Sequence, residues 1–330
     1  MTEMATNGEP ARSARETTQR TRGAPLRIAL VGIGKIARDQ HIPALEKDAA
    51  FELAATVSRN HQVDGVRAFR DIPSLLEAGL PIDAVSLCTP PVGRHALARA
   101  ALDAGLHVML EKPPGATVSE VEDLAARARA RNLTLFTTWH SRESAAVDPA
   151  RDWLARRTIK SVRTTWKEDI RHWHPGQDWI LEPGGLGVFD PGINALSILT
   201  SILPERLMLR RATLHFPANR QAPIAAELEL QHGANDPVVV ELDFLQVGPQ
   251  SWDIEVETNE GTLLLREGGR RLFIDGVEQL AAEDCEYPRL YRRFDELIAA
   301  GTSDVDVSPQ QLVADAFMIG RRIEAAPFEF

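Results

Sequence analysis

The chain has 330 residues, of which 44% are hydrophobic and 25% charged, and this length suits two hydrophobic cores better than one. Its formal net charge of −10 argues against nucleic acid as a partner, and no apolar run is long enough to span a membrane. The two cysteines, Cys88 and Cys285, indicate a reducing compartment, for which we expect the cytoplasm, and they form no metal-ligand cluster.

Residues 1–25 are polar and show no apolar periodicity, so we expect a disordered tail. This segment lacks the apolar stretch of a secretion signal. Its Arg, Ser and Thr residues are typical of an organelle transit peptide, but Glu3, Glu9 and Glu16 argue against one.

Residues 26–141 alternate short apolar runs with helical patterns. The predicted strands are 26–32, 52–58, 84–88, 107–110 and 133–138. The predicted helices between them are 42–47, 92–105 and 119–132. This alternation predicts a doubly wound α/β domain, in which helices cover both faces of a parallel sheet.

Residues 142–330 have a different pattern, in which strand-like runs follow one another with short turns between them. The predicted strands are 159–169, 205–216, 225–230, 237–244, 251–258, 261–267 and 270–276. The predicted helices are 148–157, 291–301 and 309–326. Sequential strands with short turns favour an open, mainly antiparallel sheet, so we expect an α+β second domain.

The sequence VGIGKIA follows the first predicted strand and precedes a helical pattern, which is the context of a dinucleotide-binding turn. Gly32 permits the tight turn, Gly34 lets the backbone approach a pyrophosphate, and the small Ala37 allows close packing. We therefore assign Gly32, Gly34, Lys35 and Ile36 to the cofactor site. The alternative is an ordinary glycine turn of an α/β domain.

The end of the second predicted strand bears on the choice of cofactor. An acidic residue at this position is typical of NAD-binding sites, but this strand ends in Val-Ser-Arg-Asn. Arg59 can pair with a 2′-phosphate and Ser58 can donate to it. We expect NADP to be accepted at least as well as NAD; the alternative is a solvated surface arginine.

The sequence HVMLEKPPGA places a charged pair where a buried strand stops. Ligands of a doubly wound sheet bind at the carboxyl ends of its strands, so Glu111 and Lys112 should lie in the binding crevice. There Lys112 can act as an acid/base, with Glu111 orienting it. A surface ion pair is the alternative. We also predict a cis peptide bond before Pro113.

The preceding strand ends in LCTPP, in the same crevice. Thr89 and Pro90 are predicted to line the cofactor groove with Glu111 and Lys112. Cys88 is more typical of a small core residue than of a nucleophile.

The sequence EPGGLGVFDPGINALSIL opens with glycines and becomes a helical pattern. Asp190 and Asn194 are four residues apart and would share one face of a helix. The alternatives are structural, because an aspartate before Pro191 is a good helix N-cap and Asn194 can be a bonded interior amide.

The stretch WKEDIRHWHPGQDWI is dense in Trp and His, although the whole chain has only six Trp. In an extended strand Trp166 and Glu168 point to one face, and His140 reaches the crevice from the fifth predicted strand. An aromatic platform with polar partners suits a polyhydroxylated ring, although each residue alone fits a packing role. His172 and His174 make an unconvincing metal pair without further ligands.

The three motifs GxGxxA, EKP and GG-x(4)-D-x-G-x-(H or N), in this order, resemble the Gfo/Idh/MocA family of NAD(P)-dependent oxidoreductases, from about residue 26 to the end. The resemblance implies an NAD(P)-binding Rossmann domain at 26–141 and an α+β substrate and oligomerisation domain at 142–330. Many members carry a histidine where this chain has Asn194. That departure removes a second acid/base and puts more weight on Lys112.

Within the family, the stretches GIGKIARDQHIPA, EKPPGAT and TWHSR are most similar to bacterial aldose 1-dehydrogenases that act on L-arabinose and D-galactose. The resemblance implies oxidation at C1 to the aldonolactone, with Lys112, Asp190 and Asn194 at the reacting carbon. The implied sugar-binding residues are His140, Trp166, Glu168 and His174.

Two other functions fit the same pattern. One is a different sugar or inositol dehydrogenase of the family, and the other is a non-catalytic NAD(P)-binding regulator. The retained Lys112 argues against the regulator. An open sheet leaves a broad face to be covered, and family members often pair through it, which favours a homodimer.

Overall fold

A computed structural model of the chain describes residues 24–233 and 236–330. The predicted tail lies outside the described residues, except for its last two, which are exposed. Two sheets organise the described chain, one of six strands and one of nine. No helix among the described residues is long and apolar enough to cross a membrane.

The first sheet is parallel throughout, with strands in the order β3-β2-β1-β4-β5-β6. Its strands are β1 Leu26–Val31, β2 Phe51–Val57, β3 Arg67–Phe69, β4 Ala84–Leu87, β5 His107–Leu110 and β6 Leu135–Thr137. The five predicted strands are confirmed. The prediction missed β3, which is a short edge strand with little buried surface.

Helices cover both faces of this sheet, which confirms the doubly wound Rossmann arrangement. They are a π-helical turn Ala37–His41, α1 Ile42–Lys47, α2 Ile72–Glu77, α3 Arg94–Asp103 and α4 Val118–Ala130. Helix α4 shows why the local sequence folds in this way. The Thr117 side chain caps its first turn, and Val121, Leu124 and Ala128 recur at helical spacing on the buried face.

The second sheet has nine strands in the order β14-β13-β12-β11-β7-β10-β9-β8-β15. They are β7 Ile159–Lys167, β8 Leu207–Pro217, β9 Ala225–His232, β10 Asp236–Asp243, β11 Ser251–Thr258, β12 Gly261–Arg266, β13 Arg271–Ile274, β14 Val277–Ala281 and β15 Arg321–Ala325. The pairs β7–β10 and β8–β15 are parallel and the others antiparallel, so the prediction of a mainly antiparallel sheet is confirmed.

The two faces of this sheet differ in chemistry. One face packs on helices α5 Val147–Leu154, α7 Phe189–Ile202 and α9 Ser308–Ile319 in an apolar core. The other carries cross-strand ion pairs, including Arg163–Glu241 at 3.3 Å and Arg211–Glu229 at 3.1 Å. The outer face is therefore charged rather than apolar. The predicted homodimer stays a prediction.

The predicted helix 309–326 is wrong at its carboxyl end. Helix α9 stops at Ile319, and residues Arg321–Ala325 form β15, which pairs in parallel with β8. Gly320 permits the change of direction. Any other residue would bring its Cβ to 2.3 Å from the carbonyl oxygen of Ala316. The edge of β8 offers hydrogen bonds that local helical propensity does not anticipate.

Helix α8 Glu286–Ala300 begins five residues before the predicted 291–301 and packs on the first sheet rather than the second. Its residues Tyr287, Tyr291 and Phe294 share a core with Ile28 of β1. The predicted boundary at residue 141 stays a prediction, but α8 returns the chain to the first core. This return places the start of α8 beside the carboxyl end of β5.

Helix α7 is buried on nearly every side, as its apolar sequence demands. Gly192 allows it to lie close to the sheet, because a Cβ there would meet Leu242 Cδ1 of β10 at 2.5 Å. Between β7 and α7 run the short helix α6 Ile170–Trp173 and a 3₁₀ turn at Asp178–Leu181. These elements bring the start of α7 to the mouth of a cleft between the two sheets.

Candidate active site

A cleft of about 530 Å³ lies where the carboxyl ends of β4 and β5 face the second sheet. Ligand sites of doubly wound folds occupy this end of the sheet. Most of the residues that the sequence singled out line the cleft together. They are Gly34, Lys35, Ile36, Thr89, Pro90, Glu111, Lys112, His140, Trp166, Glu168, His174, Asp190 and Asn194.

Three predicted cofactor residues do not line the cleft. Gly32 lies behind it, in a turn with φ +91°, where a Cβ would meet Thr89 Cγ2 at 2.8 Å. Ser58 and Arg59 directly follow β2 at its carboxyl end. The Ser58 hydroxyl accepts from the backbone N–H groups of residues 60 and 61, and Arg59 is exposed.

The glycine turn fits a pyrophosphate. At Gly34 a Cβ would meet no atom within 4 Å, so open space adjoins the backbone at this point. The chain becomes helical at Lys35, and the first N–H groups of a helix are free to bind an anion. Lys35 pairs with Asp39 one turn later. The residues present therefore fit a dinucleotide phosphate.

Lys112 joins the two domains across the cleft. Its Nζ donates to the backbone carbonyl oxygen of Asp190 at 2.8 Å and lies 3.1 Å from Asp190 Oδ1. Burial alone would raise the pKa of Asp190, but Lys112 and His174 outweigh it and lower that pKa. The peptide bond before Pro113 is cis, as predicted. Lys112 is thus mostly buried, with its Nζ held against the carboxylate of Asp190.

Glu111 lines the cleft, but its carboxylate is buried and bonded within a polar network. One carboxylate oxygen accepts the backbone N–H of Lys112 at 2.9 Å. The other accepts the Tyr287 hydroxyl at 2.8 Å and lies 3.0 Å from His41 Nε2. Burial opposes ionisation, yet these donors lower the pKa of Glu111 to about 2. Glu111 therefore orients the Lys112 backbone.

Sequence reasoning missed His41 and Tyr287. They lie 70 and 176 residues from Glu111 along the chain, and no local pattern connects them to it. Burial works against a charged His41, but Cys88, Tyr291 and the Glu111 carboxylate together raise the pKa of His41 above its usual range. Such a buried pair depends on its hydrogen bonds, because both groups have left water.

Arg94, the first residue of α3, was also missed. Its Nε donates to the carbonyl oxygen of Thr89 at 3.0 Å, and its Nη1 donates to the carbonyl oxygens of Glu111 and Pro113. Burial lowers the pKa of Arg94 to about 10, which leaves it charged at neutral pH. One guanidinium thus ties together the ends of two neighbouring strands at the cleft.

Asp190 is not a helix N-cap, so that structural alternative is wrong. Helix α7 begins at Phe189, Val188 occupies the cap position, and Asp190 lies inside the first turn. Asn194 follows one turn later, and both side chains line the cleft. The expectation that Asp190 and Asn194 share one helix face is confirmed.

An aromatic and acidic wall stands opposite Lys112. Glu168 lies 3.3 Å from His174 Nε2, and its other oxygen accepts the Trp252 indole N–H at 2.9 Å. Trp252 stacks on Trp166 at 5.8 Å between ring centroids and tilts against Trp173 at 5.0 Å. Trp252 was missed, although it is directly opposite Trp166 in the β7–β11 pairing.

His140 completes the wall on the side of α8. Its Nδ1 lies 2.5 Å from Glu286 Oε2, and its ring stacks on Tyr287 at 5.6 Å between centroids. Burial lowers the pKa of His140, but Glu286 outweighs burial, so the net direction is upward. Glu286 was missed because the sequence placed the start of α8 after it.

The described residues hold no group of three or more His, Cys, Asp or Glu that could bind a metal ion. The ring of His172 packs on the edge of Trp173. Around Lys112 the cleft instead offers carboxylates, imidazoles and indole faces. Such a set can move a proton at a hydroxyl group and hold a polyhydroxylated ring.

Comparison with known proteins agrees with this geometry. Residues 26–138 match a protein-family model described as an oxidoreductase family with an NAD-binding Rossmann fold. The chain is 46% identical over 316 residues to a galactose 1-dehydrogenase of Pseudomonas fluorescens, covering 92% of this chain and 99% of that protein.

Two solved structures extend the comparison. A D-galactose-1-dehydrogenase from Rhizobium etli is 55% identical, with a TM-score of 0.89 over 93% of this chain and 98% of its own. The 3-ketoreductase KijD10 from Actinomadura kijaniata is 20% identical, with a TM-score of 0.78 over 91% and 99% of the two chains. This second likeness concerns the fold.

Proposed function

Because the chain belongs to the Gfo/Idh/MocA family of oxidoreductases, we propose that it is an NAD(P)-dependent aldose 1-dehydrogenase that oxidises D-galactose, L-arabinose or both at C1. The product is the aldonolactone. The observation that carries the proposal is the position of Lys112, whose Nζ is held against Asp190 in the cleft beside the glycine turn. The similarity to two galactose 1-dehydrogenases supports the choice of sugar.

The cofactor would lie along the carboxyl ends of the first sheet. Gly34, Lys35 and Ile36 would hold the pyrophosphate, with Thr89 and Pro90 beside the nicotinamide end. Ser58 and Arg59 would take the 2′-phosphate. Because β2 ends without an acidic residue, we propose that NADP is accepted at least as well as NAD.

The sugar lies between Lys112 and the aromatic wall. The stacked Trp166 and Trp252 offer an apolar surface to the CH face of a pyranose. Glu168 and His174 are available to its hydroxyl groups, and Asn194 offers an amide one helical turn from Asp190. D-Galactose and L-arabinose share ring configuration at C1–C4, so one pocket can serve both.

The chemical step requires a base at the anomeric hydroxyl. When bound, NAD(P)+ supplies the acceptor for the hydride that leaves C1. Lys112 in its neutral form takes the hydroxyl proton, and the C1–O bond becomes the carbonyl of the lactone. Asp190 fixes the position of Nζ through its carboxylate and backbone carbonyl, and it stabilises the ammonium that forms.

We further propose that the protein acts in the cytoplasm as a homodimer. Cys88 and Cys285 are both unpaired, which suits a reducing compartment. The outer face of the nine-stranded sheet is broad enough to bind a second copy of the chain. Because this face carries charged side chains, the contacts between the two copies would be polar.

The test is the absorbance of reduced nicotinamide when the protein meets NADP+ or NAD+ and a panel of aldoses. We expect fast reduction with D-galactose, D-fucose or L-arabinose and little with D-glucose, whose C4 hydroxyl is equatorial. If the protein oxidises only another sugar or an inositol, that compound would replace D-galactose and L-arabinose as the proposed substrate. Silence across the panel with intact cofactor binding would favour a non-catalytic regulator.

A further inference from the structure

The sugar side of the cleft is built by an irregular segment. Residues 169–187, here called the substrate loop, connect β7 to α7 and contribute Trp173, His174, Gln177 and Trp179 to the cleft. Their regular structure is limited to α6, of four residues, and one 3₁₀ turn. Such a segment has little local stability and needs contacts from elsewhere to hold its side chains in one place.

One set of such contacts is made by Arg220, in the connection between β8 and β9. Its Nη1 donates to Asp178 Oδ1 at 2.9 Å and lies 3.7 Å from Glu182 Oε1, both in the substrate loop. The side chain of Arg220 is only 11% exposed, whereas each acidic partner is more than half exposed. The arginine is therefore the fixed member of the cluster.

The opposite edge of the same guanidinium binds residues 326–330, here called the C-terminal clasp. Arg220 Nε donates to the carbonyl oxygen of Phe328 at 3.2 Å, and Nη2 lies 3.1 Å from Glu329 Oε2. Asn219 anchors the clasp independently, because it donates to the Phe328 carbonyl oxygen and accepts the Phe328 N–H at 2.9 Å. Phe328 itself is buried in the second core.

A second bridge runs from the clasp to the other end of the substrate loop. The Arg171 guanidinium lies 4.5 Å above the Phe328 ring and donates to the Glu329 carbonyl oxygen at 3.0 Å. Arg171 and Asp178 flank His174, so the clasp holds the loop on both sides of a residue that lines the cleft. Isolated surface ion pairs contribute little, but a mostly buried guanidinium that bonds a backbone carbonyl oxygen and carboxylates at once has a defined geometry.

We infer that Arg220 is a positioning residue, which fixes the sugar-binding side of the cleft by joining the substrate loop to the C-terminal clasp. The identity of the ligand, a pyranose, rests on the proposed function. The contacts of Arg220 do not depend on it. No chemistry is assigned to Arg220, whose contacts lie outside the cleft. Loss of Arg220 should therefore weaken sugar binding and leave cofactor binding unchanged.

The first experiment compares Arg220→Ala with the native protein in steady-state kinetics. We expect KM for D-galactose to rise about tenfold, the size of one lost charged hydrogen bond, with kcat and the dissociation constant of NADPH nearly unchanged. Arg220→Lys keeps the charge but not the forked geometry and should recover only part of the loss. Arg99→Ala, which removes an exposed ion pair with Asp103 on α3, is the matched control.

The second experiment does not depend on activity. Hydrogen exchange followed by mass spectrometry should show faster exchange in residues 174–187 of Arg220→Ala than of the native protein, with the first sheet unaffected. If Arg220→Ala does not fold, Glu329→Gln is measured in its place. This variant removes the charge of the carboxylate in the clasp that pairs with Arg220, and it should show the same change. Unchanged exchange in the variants that fold would overturn the inference. Absence of sugar oxidation by the native protein would instead refute only the proposed function.

Discussion

At the scale of single residues, the cleft depends on charges that are paired before a ligand arrives. Lys112 faces Asp190, His140 faces Glu286, and Glu111 is enclosed by donors. Each pair brings together residues from distant parts of the chain. Preorganised charges of this kind favour a reaction because they need little rearrangement as it proceeds.

Replacing Lys112 by alanine tests its role as the base. We expect kcat to fall about 10²- to 10⁴-fold, the usual contribution of a positioned acid/base, while the circular dichroism spectrum stays native. Lys47→Ala is the control, because Lys47 is the exposed last residue of α1 and does not line the cleft. A Lys112→Ala enzyme with near-normal kcat would refute the assignment.

Replacing Glu286 by glutamine tests whether His140 binds sugar in its charged form. Burial opposes the charge, while Glu286 and Glu111 favour it and Lys112 opposes it, with a net rise in the pKa of His140. The native His140 therefore keeps its proton to a higher pH than an ordinary histidine. In Glu286→Gln the proton is lost at lower pH, so KM for the sugar should begin to rise at a lower pH. Identical pH profiles of KM would contradict the role.

At the scale of elements, strand ends and helix starts place the functional groups. Strand β5 carries Lys112 into the cleft, α7 presents Asp190 and Asn194 from its first two turns, and β7 with β11 builds the indole pair. Because parallel strands end on one edge, side chains far apart in sequence meet there. The positions of α7 and of the end of β2 can each be tested by a substitution.

Helix α7 approaches the sheet through Gly192. In Gly192→Ala the new methyl group would meet Leu242, so we expect a loss of about 1–3 kcal/mol in the free energy of unfolding. The helix would also shift the groups that hold Lys112, so kcat should fall. Chemical denaturation and kinetics measure the two effects, with Ser201→Ala on the same helix as control. Unchanged kcat would show that the helix position is not critical.

The end of β2 should decide cofactor preference. Arg59→Ala is expected to raise KM for NADP+ about 10- to 100-fold, as the loss of a charged phosphate contact does, with little effect on KM for NAD+. Arg99→Ala on α3, an exposed arginine paired with Asp103, controls for net charge. Equal changes for both cofactors would remove Arg59 from the 2′-phosphate site.

At the scale of the whole molecule, two domains share one cleft and several direct contacts. The Lys112–Asp190 pair is one of them. The Gln310 side-chain amide also donates to the Gly115 carbonyl oxygen at 2.8 Å. The Trp139 indole N–H donates to the Asp306 carbonyl oxygen at 2.9 Å. These bonds hold Lys112 and Asp190 in register across the two parts of the chain.

The proposed homodimer would be held by polar contacts, because the outer sheet face carries paired charges. We expect light scattering after gel filtration to give a dimer mass at about 0.1 M salt and a smaller mass at about 1 M, where the screening length falls from roughly 10 to 3 Å. A monomer at both salt concentrations would exclude the dimer. A dimer that resists high salt would point to an apolar interface elsewhere.

Local patterns were enough for much of this molecule. Strand–helix alternation predicted the first sheet, and period-two alternation predicted the second, because both report which faces are buried. The glycine turn, Lys112 and the Asp190–Asn194 spacing were readable because strand ends and helix turns place side chains at fixed intervals. Three motifs in order also identified the family, which the comparisons confirm.

Only the tertiary structure decided which distant residues become partners. His41, Tyr287 and Glu286 join the site because α8 returns to the first sheet, and residues 321–325 form a strand because β8 has a free edge. Arg220 meets the clasp across more than 100 residues. Such contacts depend on packing between remote segments, whereas a linear pattern records only which face of each element is buried.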